Sequence, residues 1–117
     1  MKSTEIIINK SRFIAYGYEL ETLNDVKKIL SDLRHEHKKA THICYAYVYS
    51  RECVSEKCSD DGEPNKTAGY PILNVIKKKG LNNILVAVVR YFGGIKLGAG
   101  GLTRAYTKAC ASLLNDE

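Results

Sequence analysis

No apolar run in this 117-residue chain approaches the roughly 20 residues that a membrane-spanning helix needs. The opening stretch M-K-S-T-E-I-I-I-N-K turns polar too soon for a secretory signal, so the cytoplasm is the expected location. A C-x-x-C pair is also missing. Cys44, Cys53, Cys58 and Cys110 lack zinc-site spacing, and no metal ligation is expected of them. Cys44 lies in an apolar strand pattern and Cys110 on an apolar helix face, where cysteine acts as a small hydrophobe. Cys53 and Cys58 could approach across a turn, but a reducing compartment disfavours a disulfide. Linkers, repeats and low-complexity tracts are absent, so residues 1–117 read as one domain with its own core. The remaining absence is acid. Between Pro64 and Asn115 there are eight basic residues (Lys66, Lys77, Lys78, Lys79, Arg90, Lys96, Arg104 and Lys108) and no acidic one. The first 58 residues are nearly balanced, ten basic against eight acidic, within a net charge of +5. A surface of one sign attracts polyanions, although Lys77–Lys79 also fits charge at a helix C-terminus before Gly80.

Periodicity supplies the elements. Glu5–Ile8 and Arg12–Tyr18 read as short strands joined at Asn9-Lys10, a hairpin. Thr22 is positioned to cap a helix, with Asp25 as its capping-box partner. Leu23, Val26, Ile29, Leu30 and Leu33 share one face of that helix, which ends near Lys38-Lys39. His42–Tyr49 is a strand in which Tyr45, Tyr47 and Tyr49 alternate with Cys44, Ala46 and Val48. Such a tyrosine face either packs beneath helices, the reading favoured here, or stacks nucleobases. His42 reads as a hydrogen-bonded residue at the strand end. Pro71 falls in the first turn of a second helix, where its missing N–H costs little, and Gly80 ends it. Ile84–Tyr91 is a continuous apolar strand, consistent with burial on both faces. A last helix runs Gly101–Leu114. The order ββαβ(β)αβα predicts an α+β two-layer sandwich, with three helices on one face of a mixed four-stranded sheet.

Two clusters carry the chemistry. R-Y-F-G-G-I-K-L-G-A-G-G-L-T-R, residues 90–104, sets Gly93, Gly94, Gly98, Gly100 and Gly101 between a buried strand and a helix start. Glycine there allows positive φ and close approach to a partner, and free N–H groups at a helix start suit an anion. No Gly-Lys-Ser/Thr completes a Walker A motif, and Thr103 stands where a dinucleotide fingerprint needs glycine. A tight strand-to-helix connection explains the same glycines equally well. The second cluster is S-D-D-G-E-P-N-K-T-A-G-Y-P, residues 59–71, in which Asp60, Asp61 and Glu63 crowd together. Crowded carboxylates need a cationic answer. The spacing excludes an EF-hand, and pairing with Arg90, Lys96 or Arg104 is expected in preference to a metal.

These clusters, with S-R-F-I-A (11–15), A-T-H-I-C-Y-A-Y (40–47) and T-A-G-Y-P-I-L (67–73), resemble the IMPACT/YigZ family in the family's order over nearly the whole chain. S-D-D-G-E-P and R-Y-F-G-G-x-K-L-G-x-G-G-L are its most specific signatures. The resemblance implies a single IMPACT N-terminal-type domain, folded like the second domain of ribosomal protein S-five and domain four of elongation factor G. It further implies a link to translation and stress response, since eukaryotic members regulate the starvation-responsive kinase pathway by competing for its activator. Asn65 and Lys66 replace the family's usual Ser-Gly, and Tyr70 replaces a small or basic residue. Bacterial relatives tend to continue into a second, ferredoxin-like domain, whereas this sequence stops at Glu117.

The expectation is a noncatalytic regulatory domain that binds a translation or stress-response protein, or RNA, through a glycine-rich basic surface. Arg90, Lys96 and Arg104 would contact the partner, flanked by Tyr91, Phe92 and Thr67. The five glycines would shape the loop, and Asp60, Asp61 and Glu63 would orient the arginines. The alternative is an enzyme holding Mg²⁺ and a phosphorylated substrate between the two loops. No nucleophile–base pair is legible to support it, and no cofactor is expected outside it.

Overall fold

Asn9 and Lys10 both take positive φ, 49° and 67°, the geometry of a two-residue turn whose twist matches that of its flanking strands. In the computed structural model, which describes residues 2–115, this turn joins β1 (Lys2–Ile8) to β2 (Ser11–Glu19). Helix α1 (Asn24–Glu36) follows, then β3 (His42–Tyr49), β4 (Ser55–Ser59), α2 (Gly69–Lys78), β5 (Ile84–Tyr91) and α3 (Gly98–Leu114). The α1 start differs from a full capping box. Asp25 Oδ2 accepts the backbone N–H groups of Glu21 and Thr22, at 2.9 and 3.0 Å, but the Thr22 hydroxyl caps no helical N–H.

The five strands form one sheet in the order β1-β2-β5-β3-β4, and every pairing is antiparallel. The α+β sandwich of helices on a sheet is as expected; the four-strand count and the mixed pairing are not. The fifth strand is β4, whose S-E-K-C-S sequence carries little apolar signal because it is an edge strand bonded only to β3. The apolar run of β5 does reflect burial on both faces, but as the central antiparallel strand.

Strand alternation sorts the core into two clusters. Phe13, Ala15, Cys44, Ala46, Val86 and Val88 point to one face, under α2 and α3. Ile14, Tyr16, Tyr45, Tyr47, Leu85 and Val89 point to the other, with Leu30 and Leu33 of α1. Helices therefore cover both faces, not one. The pattern has a steric reason: two helices leave room for small strand residues, whereas a single helix leaves space that tyrosines fill. Tyr45, Tyr47 and Tyr49 are 8, 8 and 0% exposed, so the tyrosine face is packed beneath α1. No helix among the described residues is long and apolar enough to cross a membrane.

Candidate functional site

The site lies where β5 ends. Alternation along β5 sends Arg90 toward α3 and Tyr91 toward α1, which splits two adjacent residues of the same motif. Tyr91 hydroxyl lies 2.6 Å from His37 Nδ1, and Tyr16 hydroxyl lies 2.8 Å from His37 Nε2. Arg12 also stacks over the Tyr91 ring, 5.2 Å from its centroid. Tyr91 thus closes the α1 side of the sheet and is not part of the cleft described below.

Arg90 is 5% exposed and forms a buried ion pair, with Nη1 2.8 Å from Glu63 Oε2. Its Nη2 donates to Ser11 Oγ at 3.3 Å. Its guanidinium lies over the rings of Phe13 and Phe92, at 5.5 and 5.4 Å. Tyr106 of α3 donates to the same Glu63 oxygen at 2.5 Å. Burial, with Cys44 and the Glu63 carboxylate beside it, pushes the Tyr106 hydroxyl up, so it remains a donor. His42, the β3 residue opposite Arg90, places Nε2 3.5 Å from Glu63 Oε1 and donates Nδ1–H to the Asp61 carbonyl at 2.8 Å. One carboxylate therefore joins β3, β5, α3 and the acidic turn. A buried charge is tolerated only when it is paired and hydrogen-bonded in this way.

The other two carboxylates do different work. Asp60 accepts the backbone N–H groups of Lys66, Ala68 and Gly69, at 2.9, 3.1 and 2.9 Å, and so fixes the entry into α2. Asp61 Oδ2 accepts the Ile43 N–H at 2.8 Å. Neither orients an arginine; Glu63 alone does. The physical reason is that both lie within reach of unpaired backbone donors, which satisfy a carboxylate as well as a cation does. Thr67 is buried and donates to the Pro64 carbonyl at 2.6 Å, shaping the same turn. Among the described residues no group of His, Cys, Asp and Glu is placed to hold a metal ion. All four cysteines are free thiols.

The glycine-rich loop is held against the β1–β2 turn. Gly93 N–H donates to Ser11 Oγ at 3.1 Å, and Phe92 N–H donates to Thr41 Oγ1 at 3.0 Å. A Cβ on Gly93 would sit 1.9 Å from the Lys10 carbonyl oxygen, so glycine is required there by contact alone. Gly94 and Gly98 adopt φ of 93° and 75°. Helix α3 begins at Gly98, three residues before the expected Gly101, so Gly98, Gly100 and Gly101 all lie in its first turn. No side chain caps that turn and no acidic residue lies in it.

Between the two loops is a cleft of about 460 Å³. Thr41 and His42 of the β3 start, Gly62, Glu63 and Pro64 of the acidic turn, and Phe92 with Lys96–Ala99 and Leu102 line it, together with the buried Arg90. Lys96 is exposed at its rim, and Arg104 is exposed one turn farther along α3, beside Gly100. The structure thus brings together Arg90, Phe92, Lys96, Gly98 and Glu63, and leaves Tyr91, Asp60, Asp61 and Thr67 in supporting positions. Ser11, Thr41, His42 and Tyr106 join the site beyond the residues that the two clusters point to; the sequence signal for the first three is the polar members of S-R-F and T-H-I beside apolar strands.

The family model for the Impact N-terminal domain matches residues 9–114. The chain is 47% identical over 111 residues to IMPACT family member YvyE of Bacillus subtilis, covering 95% of this chain and 51% of that protein. Against IMPACT family member YigZ of Escherichia coli the identity is 43% over 101 residues, covering 85% and 50%. The chain therefore spans about half the length of these relatives. A crystal structure of a hypothetical protein superposes with a TM-score of 0.92 at 37% identity, covering 98% of this chain and 57% of that one. The two-domain translational regulator Yih1 shares the fold, with a TM-score of 0.65 at 22% identity, covering 96% and 46%. With the family's domain model matching residues 9–114 of the 117 in this chain, the chain belongs to the IMPACT family.

Proposed function

We propose that this domain is a noncatalytic docking unit of a translation-associated regulator, and that its partner is a protein of the translation machinery with an acidic surface. The observation that carries the proposal is the exposed rim of the glycine-rich loop. Phe92 and Ile95 are 46 and 44% exposed on a segment whose backbone is tied to Ser11 and Thr41. Large apolar side chains presented on a fixed backbone, next to Lys96 and Arg104, are the composition of an interface centre with a basic rim. Preorganisation reduces the ordering cost of binding. The description of the similarly folded Yih1 as a translational regulator supports the link to translation. The buried tyrosines offer no stacking platform, which favours a protein over RNA.

Co-sedimentation with ribosomes and their associated factors tests this reading. Wild-type domain is expected in the ribosomal fraction at low salt, and treatment with ribonuclease after protein crosslinking should leave the crosslinked partner attached. The double variant K96E/R104E should lose at least tenfold in retained material while keeping its melting temperature, because both side chains are exposed. Equal retention of that variant, or retention by RNA alone, overturns the proposal.

A further inference from the structure

The geometry points to the cleft as a binding site for a phosphorylated small molecule that carries a flat ring, of the nucleotide class. This goes beyond the docking reading: the two share Phe92 and Lys96 at the cleft rim, but the nucleotide titrations below are made without any protein partner and so stand or fall by themselves.

Three observations converge. First, the N-terminal turn of the 17-residue α3 lines the cleft with Gly98 and Ala99, uncapped by any side chain and free of acid. A helix start of this kind presents N–H donors and positive potential to an anion. Second, Arg90 lines the same cleft while 95% buried, and its Nε is a buried side-chain nitrogen without a hydrogen-bond partner among the described residues. A guanidinium N–H buried without an acceptor is costly; Glu63 already answers the charge of Arg90, so what is wanting there is an acceptor oxygen, of the kind a phosphate carries. Third, the cleft is apolar away from these donors. Pro64, Leu97 and Leu102 line it, and the half-exposed Phe92 ring offers a face for stacking. A volume of about 460 Å³ falls within the range of small-ligand pockets.

One carboxylate, Glu63, also lines the cleft and opposes an anion. Its Oε2 is already engaged by Arg90 and Tyr106, and His42 Nε2 stands beside its Oε1. The carboxylate thus holds Arg90 in place and does not present a free negative charge. In the bound arrangement the phosphate sits at the start of α3 within reach of Lys96, and the ring lies against Phe92 and Pro64. A phosphate without a ring fills only part of the volume, and a nucleoside lacks the group that the helix start recognises.

Amide chemical shifts of isotopically labelled wild-type domain, titrated separately with inorganic phosphate, guanosine and guanosine monophosphate, test the assignment. The expected result is saturable binding of the monophosphate at least tenfold tighter than either fragment, with shifts concentrated at Gly98, Ala99, Gly100 and Phe92. Lys96→Glu should weaken the monophosphate at least tenfold. Phe92→Ala should weaken it while leaving inorganic phosphate unchanged. Lys78→Glu, on α2 and outside the cleft, should change affinity by less than twofold. Lys96 is exposed and Phe92 half-exposed over Arg90, so the dispersion of each variant's amide spectrum is compared with wild type before titration. The proposal is overturned if no titration saturates in the millimolar range, a Kd of about 1 mM already leaving only roughly 4.1 kcal/mol of binding free energy. It is equally overturned if the monophosphate binds no tighter than phosphate, or if the shifts map to the α2–α3 surface. Loss of ribosome co-sedimentation with intact nucleotide binding would sink only the docking reading.

Discussion

Arg90 sits at the end of the central strand, where a charge is hardest to keep, and its partners explain why it stays. Removing it leaves the Glu63 carboxylate buried with the Tyr106 hydroxyl as its hydrogen-bond donor and His42 Nε2 3.5 Å away. Arg90→Ala is expected to destabilise the domain by roughly 3–5 kcal/mol, the cost of an uncompensated buried charge. Glu63→Ala should cost a similar amount, and the double variant much less than the sum, since the two act as one unit. Urea denaturation of all four proteins measures this; additive losses would show that the two loops are not coupled through the pair. The pairing of the acidic turn with an arginine was legible because three crowded carboxylates demand a cation. Which carboxylate answers was not. Asp60 and Asp61 turn to backbone N–H groups of residues 66–69 and 43, and that choice depends on the path of the turn, which composition does not encode.

The elements themselves were largely legible, because each carries its own period. The β1–β2 hairpin, α1, β3, α2 and β5 fall within a few residues of expectation. Two features were not legible for definable reasons. β4 is a polar edge strand whose pairing comes from its neighbour β3 rather than from its own pattern. The antiparallel setting of β5 depends on strand order, which a run of apolar residues leaves open. The connection from β5 to α3 yields a graded expectation. Gly94→Ala adds a Cβ in a left-handed conformation with open space around it, and should cost about 1–2 kcal/mol. Gly93→Ala drives a Cβ into the Lys10 carbonyl and should reach or exceed the roughly 1–3 kcal/mol of an overpacked site. Denaturant midpoints should therefore fall in the order wild type, Gly94→Ala, Gly93→Ala; the reverse order would mean that the loop does not rest on the hairpin turn.

At the scale of the whole molecule, burial of weak acids makes stability depend on alkali. Burial pushes the Cys110 thiol up to about 12, and drives Cys44 and Tyr106 higher still, from ordinary values of 9.0 for the thiols and 10.0 for the phenol. Above pH 9 the unfolded chain releases these protons while the folded chain keeps them. Stability should be fully present below pH 9 and fall progressively as pH rises toward 12. Urea midpoints at pH 7, 9 and 10.5 check this, and a flat profile would contradict it. For the same reason a thiol reagent at pH 8 should modify the exposed Cys53 rapidly, and Cys44 and Cys110 only through global opening. The strand order has a further consequence, for synthesis. Within the sheet β5 alone separates β2 from β3, yet it leaves the ribosome after all of its neighbours. Until residue 91 has emerged, the nascent chain holds two separate hairpins, each marginal in isolation, with the inner edges of β2 and β3 open to unwanted pairing. Delivery of β5 closes both edges in one step, and α3 follows to cover the face that β5 completes, so the domain acquires its fold late during translation.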